Sequence, residues 1–168
     1  GQGVLILQVD FETKSFAFPD GVPKTQSSTT PEGLEADGAN VLGLIRPIVA
    51  SLVDTANYDL AQRGHTRYIE MGGFRMADPK TRQRMNEKAH DEYEGSYVDI
   101  RDVERGCVDL RRPEHIAAFC SVLDWAKGEH VRLPYDAVIC IAENRFTSPT
   151  ACGYSSHKAN IVIPIPDE

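Results

Sequence analysis

The stretch Tyr135–Ala142 most constrains what this chain can fold into, because its last six residues, Ala137 to Ala142, are all apolar. Successive residues of a strand point to opposite faces, so an unbroken apolar run requires cover on both sides of a sheet. Just before it, Pro113 opens a segment in which Ile116, Phe119, Cys120 and Leu123 recur at helical spacing, with Trp125 and Ala126 widening the stripe. Gly128 stands where a left-handed cap would close that helix. An amphipathic helix feeding a doubly covered strand is the frame that the rest of the chain has to complete.

The 168 residues suit one α+β domain over residues 1–158, with residues 159–168 as a C-terminal edge strand or arm. A chain of this length buries enough surface to stand without disulfides or a structural metal. No apolar run approaches the roughly 18 residues of a bilayer span, so no membrane partner is expected. The formal charge of -7 argues against general affinity for nucleic-acid backbones and makes basic or neutral partners the expectation. Of the four cysteines, Cys120 falls on the helical stripe and Cys140 inside the apolar strand, where a thiol behaves as a small hydrophobe. None forms a CxxC pair. Reduced thiols follow, in an intracellular protein or one inside a particle assembled in the cytoplasm. The initial glycine fits methionine removal, a polyprotein cut or a trimmed tag, and no signal peptide pattern is visible.

In chain order, Val4 to Phe18 reads as a hairpin turning at Thr13-Lys14, which sets Val9 opposite Phe18 and Phe11 opposite Phe16. Residues 19–38 are rich in Pro, Gly, Ser and Thr and read as a long flexible loop. Asn40 would cap a helix carrying Val41, Leu44, Ile45, Ile48, Val49, Leu52, Val53, Ala56 and Leu60, kinked at Pro47 and closed by Gly64. Thr66–Met71 reads as a strand and Gly72-Gly73 as a turn. Asp78-Pro79 opens a further helix whose residues 80 to 90 offer only Met85 and Ala89 to a core. Tyr97–Val103 and Cys107–Leu110 read as short strands. Beyond the apolar strand comes a polar loop, Glu143 to Lys158, and then isoleucines alternating with Pro164 and Pro166, the pattern of an edge strand. The order of elements predicts an α+β fold: a mixed, mainly antiparallel sheet with two or three helices packed on one face. A parallel step is expected between Leu110 and Tyr135.

Two stretches carry chemistry-bearing residues. Val9-Asp10-Phe11-Glu12-Thr13 resembles the first motif of the DnaQ-like 3′–5′ exonucleases, in which an Asp and a Glu two apart on a strand hold divalent metals. Residues i and i+2 share one strand face, so two carboxylates there present oxygen ligands to a hard cation. The resemblance spans about five residues and implies a metal-dependent phosphodiesterase with Asp10 and Glu12 as ligands of Mg²⁺; the further aspartates of that family have no convincing counterpart here. Cys152, in a small polar loop, would serve as a nucleophile with His157, His130 or His65 as base and Glu143 at the strand terminus assisting. Cys107, His115 and Cys120 match none of the compact zinc-ligand spacings, and His115 reads as an exposed residue of its helix.

No complete catalytic set competes with the other reading. A polar helix short of core residues and a Pro-Ile tail fitted to augment a neighbour's sheet point to a non-catalytic structural or interaction protein. Its partners would be other protein subunits, with a homo-oligomer as the simplest case and a viral or phage particle as one such assembly. The alternative is a hydrolytic enzyme of either kind above.

Overall fold

The computed structural model describes residues 4–9, 25–126, 133–144 and 157–165. Among these residues five strands form one sheet, β1 (Val4–Val9), β2 (Phe74–Met76), β3 (Arg105–Val108), β4 (Val138–Asn144) and β5 (His157–Pro164), in the order β2-β3-β1-β5-β4. The described residues also form three α-helices: α1 (Pro31–Gln62), α2 (Arg82–Glu92) and α3 (Pro113–Ala126). The pairs β1–β5, β2–β3 and β4–β5 are antiparallel and β1–β3 is parallel, which makes the α+β fold mixed and mainly antiparallel. By these pairings β3 and β4 run in the same direction, but β1 and β5 lie between them. The expected parallel step across α3 is therefore not a direct pairing.

Strand β5 overturns the expectation of an edge strand or free arm over residues 159–164, while residues 166–168 lie outside the described residues. The strand sits between β1 and β4, with Ile161 and Ile163 buried to 1% and 0% exposure. The prolines do not prevent this, because Pro164 occupies the terminal rung, opposite Val4, where a missing N–H interrupts nothing further along. Of the expected Val4–Phe18 hairpin, residues 10–18 lie outside the described residues; Val9 itself pairs with Gly106 on one side and Ala159 on the other.

Helix α1 starts well before Asn40. Thr30 caps it by accepting a hydrogen bond from the Gly33 N–H at 3.1 Å, Pro31 fills the first turn with Glu32 beside it, and Leu34 and Gly38 are already buried. The loop expected over 19–38 is thus helical from 31 onward, while 19–24 lies outside the described residues. The helix runs on through Pro47 and closes as expected at Gly64, whose φ is +81°. Two bonds make the cap: Gly64 N–H to the Ala61 carbonyl at 3.1 Å, and His65 N–H to the Leu60 carbonyl at 3.0 Å, the double closure that a left-handed glycine permits. By length and composition α1 is long and apolar enough to cross a bilayer. Its stripe of Ile45, Ile48, Leu52, Val53 and Leu60 is instead buried against α3 and the sheet.

The strand expected over Thr66–Met71 is not one. Asn57 holds that segment by accepting the Ile69 N–H at 2.7 Å and donating to the Ile69 carbonyl at 2.9 Å, which replaces a ladder partner on both groups. The strand forms past the glycines instead. Tyr97–Val103 is likewise a folded turn segment, its Val98 and Ile100 carbonyls accepting from Gln26 N–H and Gln26 Nε2 at 2.7 and 2.8 Å. Helix α2 starts after Thr81, which accepts from Arg84 N–H, and buries Met85 and Ala89.

Two apolar clusters result. The larger joins α1 and α3 to one face of the sheet through Ile139, Ile161, Ile163 and Phe74. The smaller gathers Leu34, Met85, Ala89, Ile100 and Val103 beneath α2. On β4, Ile139 and its neighbour Cys140 are both 0% exposed, so the strand is covered on both faces, as its sequence requires.

Candidate functional site

The described residues do not assemble the expected chemistry. Asp10, Glu12, Cys152 and His130 lie outside them. Glu143 and His157 fall on adjacent strands, but His157 stands opposite Asn144 and Glu143 opposite Lys158, just past a bulge after Ile141, so the two occupy neighbouring rungs. His65 is exposed, with its backbone N–H closing the α1 cap, and Cys152, its expected partner, lies outside the described residues. His115 is buried rather than exposed, and its Nε2 lies 2.9 Å from the Arg67 carbonyl, to which it donates. Among the described residues no three of His, Cys, Asp and Glu converge as metal ligands. Cys140 is a buried thiol whose pKa is pushed up to about 11, because burial penalises the thiolate more than the Arg101 charge favours it. That is the opposite of an activated nucleophile. Across the ladder from it, Asn160 is fully buried with neither side-chain amide atom hydrogen-bonded.

A charged knot joins α2 to the segment before β3. Lys80 Nζ and Lys88 Nζ each stand 3.1 Å from the same oxygen, Asp102 Oδ2, with the Asp102 and Lys80 side chains both 8% exposed. Burial alone would raise the Asp102 pKa, but the charges and hydrogen bonds of Lys88 and Lys80 outweigh it and hold the carboxyl below its ordinary value. Two residues on, Glu104 is buried without such a partner, and burial raises its pKa. Its carboxylate packs against α1 where Gly38 leaves room; a Cβ on Gly38 would lie 2.7 Å from Glu104 Oε1. This arrangement neutralises and fixes charge, so we assign it to the architecture.

The surface feature that stands out is a groove where α1 and α3 run side by side. Its volume is about 260 Å³. Helix α1 contributes Thr55, Tyr58, Asp59 and Gln62 to its walls, and α3 contributes Ser121, Val122 and Trp125. Tyr58 is 68% exposed and Trp125 54%, so the expectation that Trp125 widens the buried stripe is corrected. The reason is geometric: Val122 and Ala126 turn into the α1–α3 seam, and Trp125, next to Ala126 on the helix, falls at the rim. The described portion of the chain thus leaves two large aromatic rings in solvent on either wall of one shallow cleft.

The rim carries charge as well. Arg63 Nε lies 3.2 Å from both Asp59 oxygens, one helical turn away, but a single N–H is donated only to Oδ1. Asp59 Oδ2 is enclosed and accepts no hydrogen bond. Sequence reasoning missed this site because each aromatic looks ordinary within its own helix; only the exposure of Tyr58 opposite the α1 stripe was readable in advance. Comparison with protein-family models, with curated proteins and with solved structures found no match to this chain.

Proposed function

We propose that this chain is a non-catalytic interaction protein, a subunit of a larger assembly, and that the α1–α3 groove is the surface through which it meets another chain. The observation that carries this reading is that two exposed aromatic residues, Tyr58 on α1 and Trp125 on α3, line one cleft. Tyrosine and tryptophan dominate the residues that hold interfaces together, since each buries a large rigid area while losing few rotamers. Strand β5 lies between β1 and β4 and so offers no free edge to a partner.

A photo-reactive benzoylphenylalanine in place of Tyr58, in the full chain and in the cells that make it, tests the reading. We expect one discrete adduct, either with a second copy or with one other chain, lost when Trp125→Ala is added. The same group at Arg84, exposed on α2, serves as the control. Absence of an adduct at position 58, or equal adducts at both positions, overturns the proposal.

A further inference from the structure

Glu104 lies where the two apolar clusters meet. The buried stripe of α1 runs through Leu34, Gly38, Val41 and Ile45; Leu34 belongs to the small cluster under α2, and Val41 and Ile45 belong to the large one. Gly38, between them, has no side chain, and the Glu104 carboxyl occupies the notch. We infer that this carboxyl is a proton-operated latch: as the acid it stays seated against Gly38, and on losing its proton it leaves for water, freeing Met85, Ala89, Ile100 and Val103 from Leu34 while the α1–α3–sheet core stays folded. The device is separate from the α1–α3 groove and does not rest on the function proposed for it.

Glu104 is 3% exposed, and its Oε2 is enclosed without a hydrogen bond. A carboxylate so placed has lost its water and gained no donor, so the group either keeps its proton or moves. The charges on the surrounding elements are committed elsewhere. On α1, Asp37 accepts from Ser28 Oγ and Glu35 from Arg82. Beside α2, Lys80 and Lys88 converge on Asp102. On the segment that carries Glu104, Arg101 acts on Tyr93, Asp99 and Cys140, and Arg105 is exposed. Burial therefore sets the direction of the Glu104 shift, upward. Opening is local because the two clusters differ in strength. The small one has five buried residues at its centre, and the ion pairs that α2 sends to α1, from Arg82 to Glu32 and Glu35, are solvent-exposed and contribute little. The large one is far more extensive, so the small one is the cooperative unit that opens at lower cost.

Native-state hydrogen exchange of the full chain across pH, corrected for the intrinsic pH dependence of exchange, tests the latch. The reporters are the Met85, Tyr93 and Ile100 amides, which donate to the Thr81, Ala89 and Tyr97 carbonyls around the small cluster. Val122 on α3 and Ile161 on β5 report on the large one. The open form titrates as an ordinary glutamate and the closed form higher, so opening rises with pH between the two values. For one proton, protection at the three reporters should fall by about tenfold per pH unit over that span and then level off. Val122 and Ile161 should keep theirs. Glu104→Gln, neutral throughout, should hold the acid-side protection of the small cluster at every pH. The carboxyl carbon of Glu104, followed by NMR in the unaltered chain, should titrate above the ordinary glutamate range, which decides the matter even if the variant folds poorly. A Glu104 carboxyl that titrates at or below its ordinary value overturns the inference. So does protection in the small cluster that is independent of pH, protection lost equally in both clusters, or a folded Glu104→Gln protein with the parent's slope.

Discussion

The two apolar clusters of this protein are held by different means. The large one, between the α1–α3 pair and the sheet, is built mainly from about twenty buried apolar side chains, with Asn57 and His115 making directed contacts at its margin. The small one under α2 has only Leu34, Met85, Ala89, Ile100 and Val103 at its centre and is ringed by buried polar groups: Gln26, Asp102 and Glu104. Hydrophobic stabilisation scales with area, so a five-residue cluster cannot fix its surroundings by burial alone. Directed contacts do it instead. Gln26 clamps two carbonyls of the 97–100 turn, and Asp102 anchors two lysines. The difference predicts that the small cluster is the pH-sensitive and mutation-sensitive half of the molecule.

The largest expected effect is at Asp102. Replacing it by alanine leaves Lys80 and Lys88 in a poorly solvated site with no counter-charge, and breaking a buried pair from one side costs about 3–5 kcal/mol. Denaturant unfolding of Asp102→Ala measures it. The sign of the pH dependence follows from the direction of each shift. Asp102 is held below its ordinary pKa, so its contribution is full above the unfolded value and is lost as pH falls through the folded one. Glu104 is raised, so its contribution is present below the unfolded value and is lost as pH rises through the folded one. Stability profiles of Asp102→Ala and Glu104→Gln should therefore depart from the parent in opposite senses, the first losing acid sensitivity and the second losing destabilisation toward neutral pH. Parallel profiles would refute the assignment.

Gly38→Ala is next in size. In an exposed helix interior this change gains roughly 0.5–1 kcal/mol. Here the added Cβ would stand 2.7 Å from Glu104 Oε1 and 3.3 Å from its Cγ, against a side chain packed in the interior. We expect a net loss of about 1–3 kcal/mol from overpacking. Glu104→Ala should recover much of it, so the pair should be strongly non-additive in a double-mutant cycle. Simple additivity would mean that Glu104 is not what the glycine accommodates.

What could be read in advance divides along the same line. Helix α3, strand β4 and the α1 stripe were legible because their signals are periodic and local. Strand β5 was misjudged by weighing Pro164 and Pro166 as marks of an edge, when the ladder ends at the first of them. The start of α1 was hidden by composition, although Thr30-Pro31-Glu32 is a sound helix opening. The strands expected at 66–71 and 97–103 failed because side chains far away in sequence, Asn57 and Gln26, take their backbone groups. The knot at Asp102 and the aromatic groove were not legible for the same reason: each exists only where separate elements meet.

The smallest effect concerns Gly43, in the same helix as Gly38 but with nothing within 4 Å of where a Cβ would be. It lies four residues before Pro47, whose ring crowds the carbonyl at that spacing, so a bare backbone there looks like an accommodation of the proline. The open surroundings argue otherwise. An alanine side chain would project into solvent and meet no atom, while the unfolded chain would lose glycine's extra freedom. We therefore expect Gly43→Ala to stabilise the protein by about 0.5–1 kcal/mol in denaturant unfolding, opposite in sign to Gly38→Ala. A loss at Gly43 would mean that the proline needs this glycine's backbone freedom after all. It would also remove the contrast between a glycine kept for a packed neighbour and one the helix can spare.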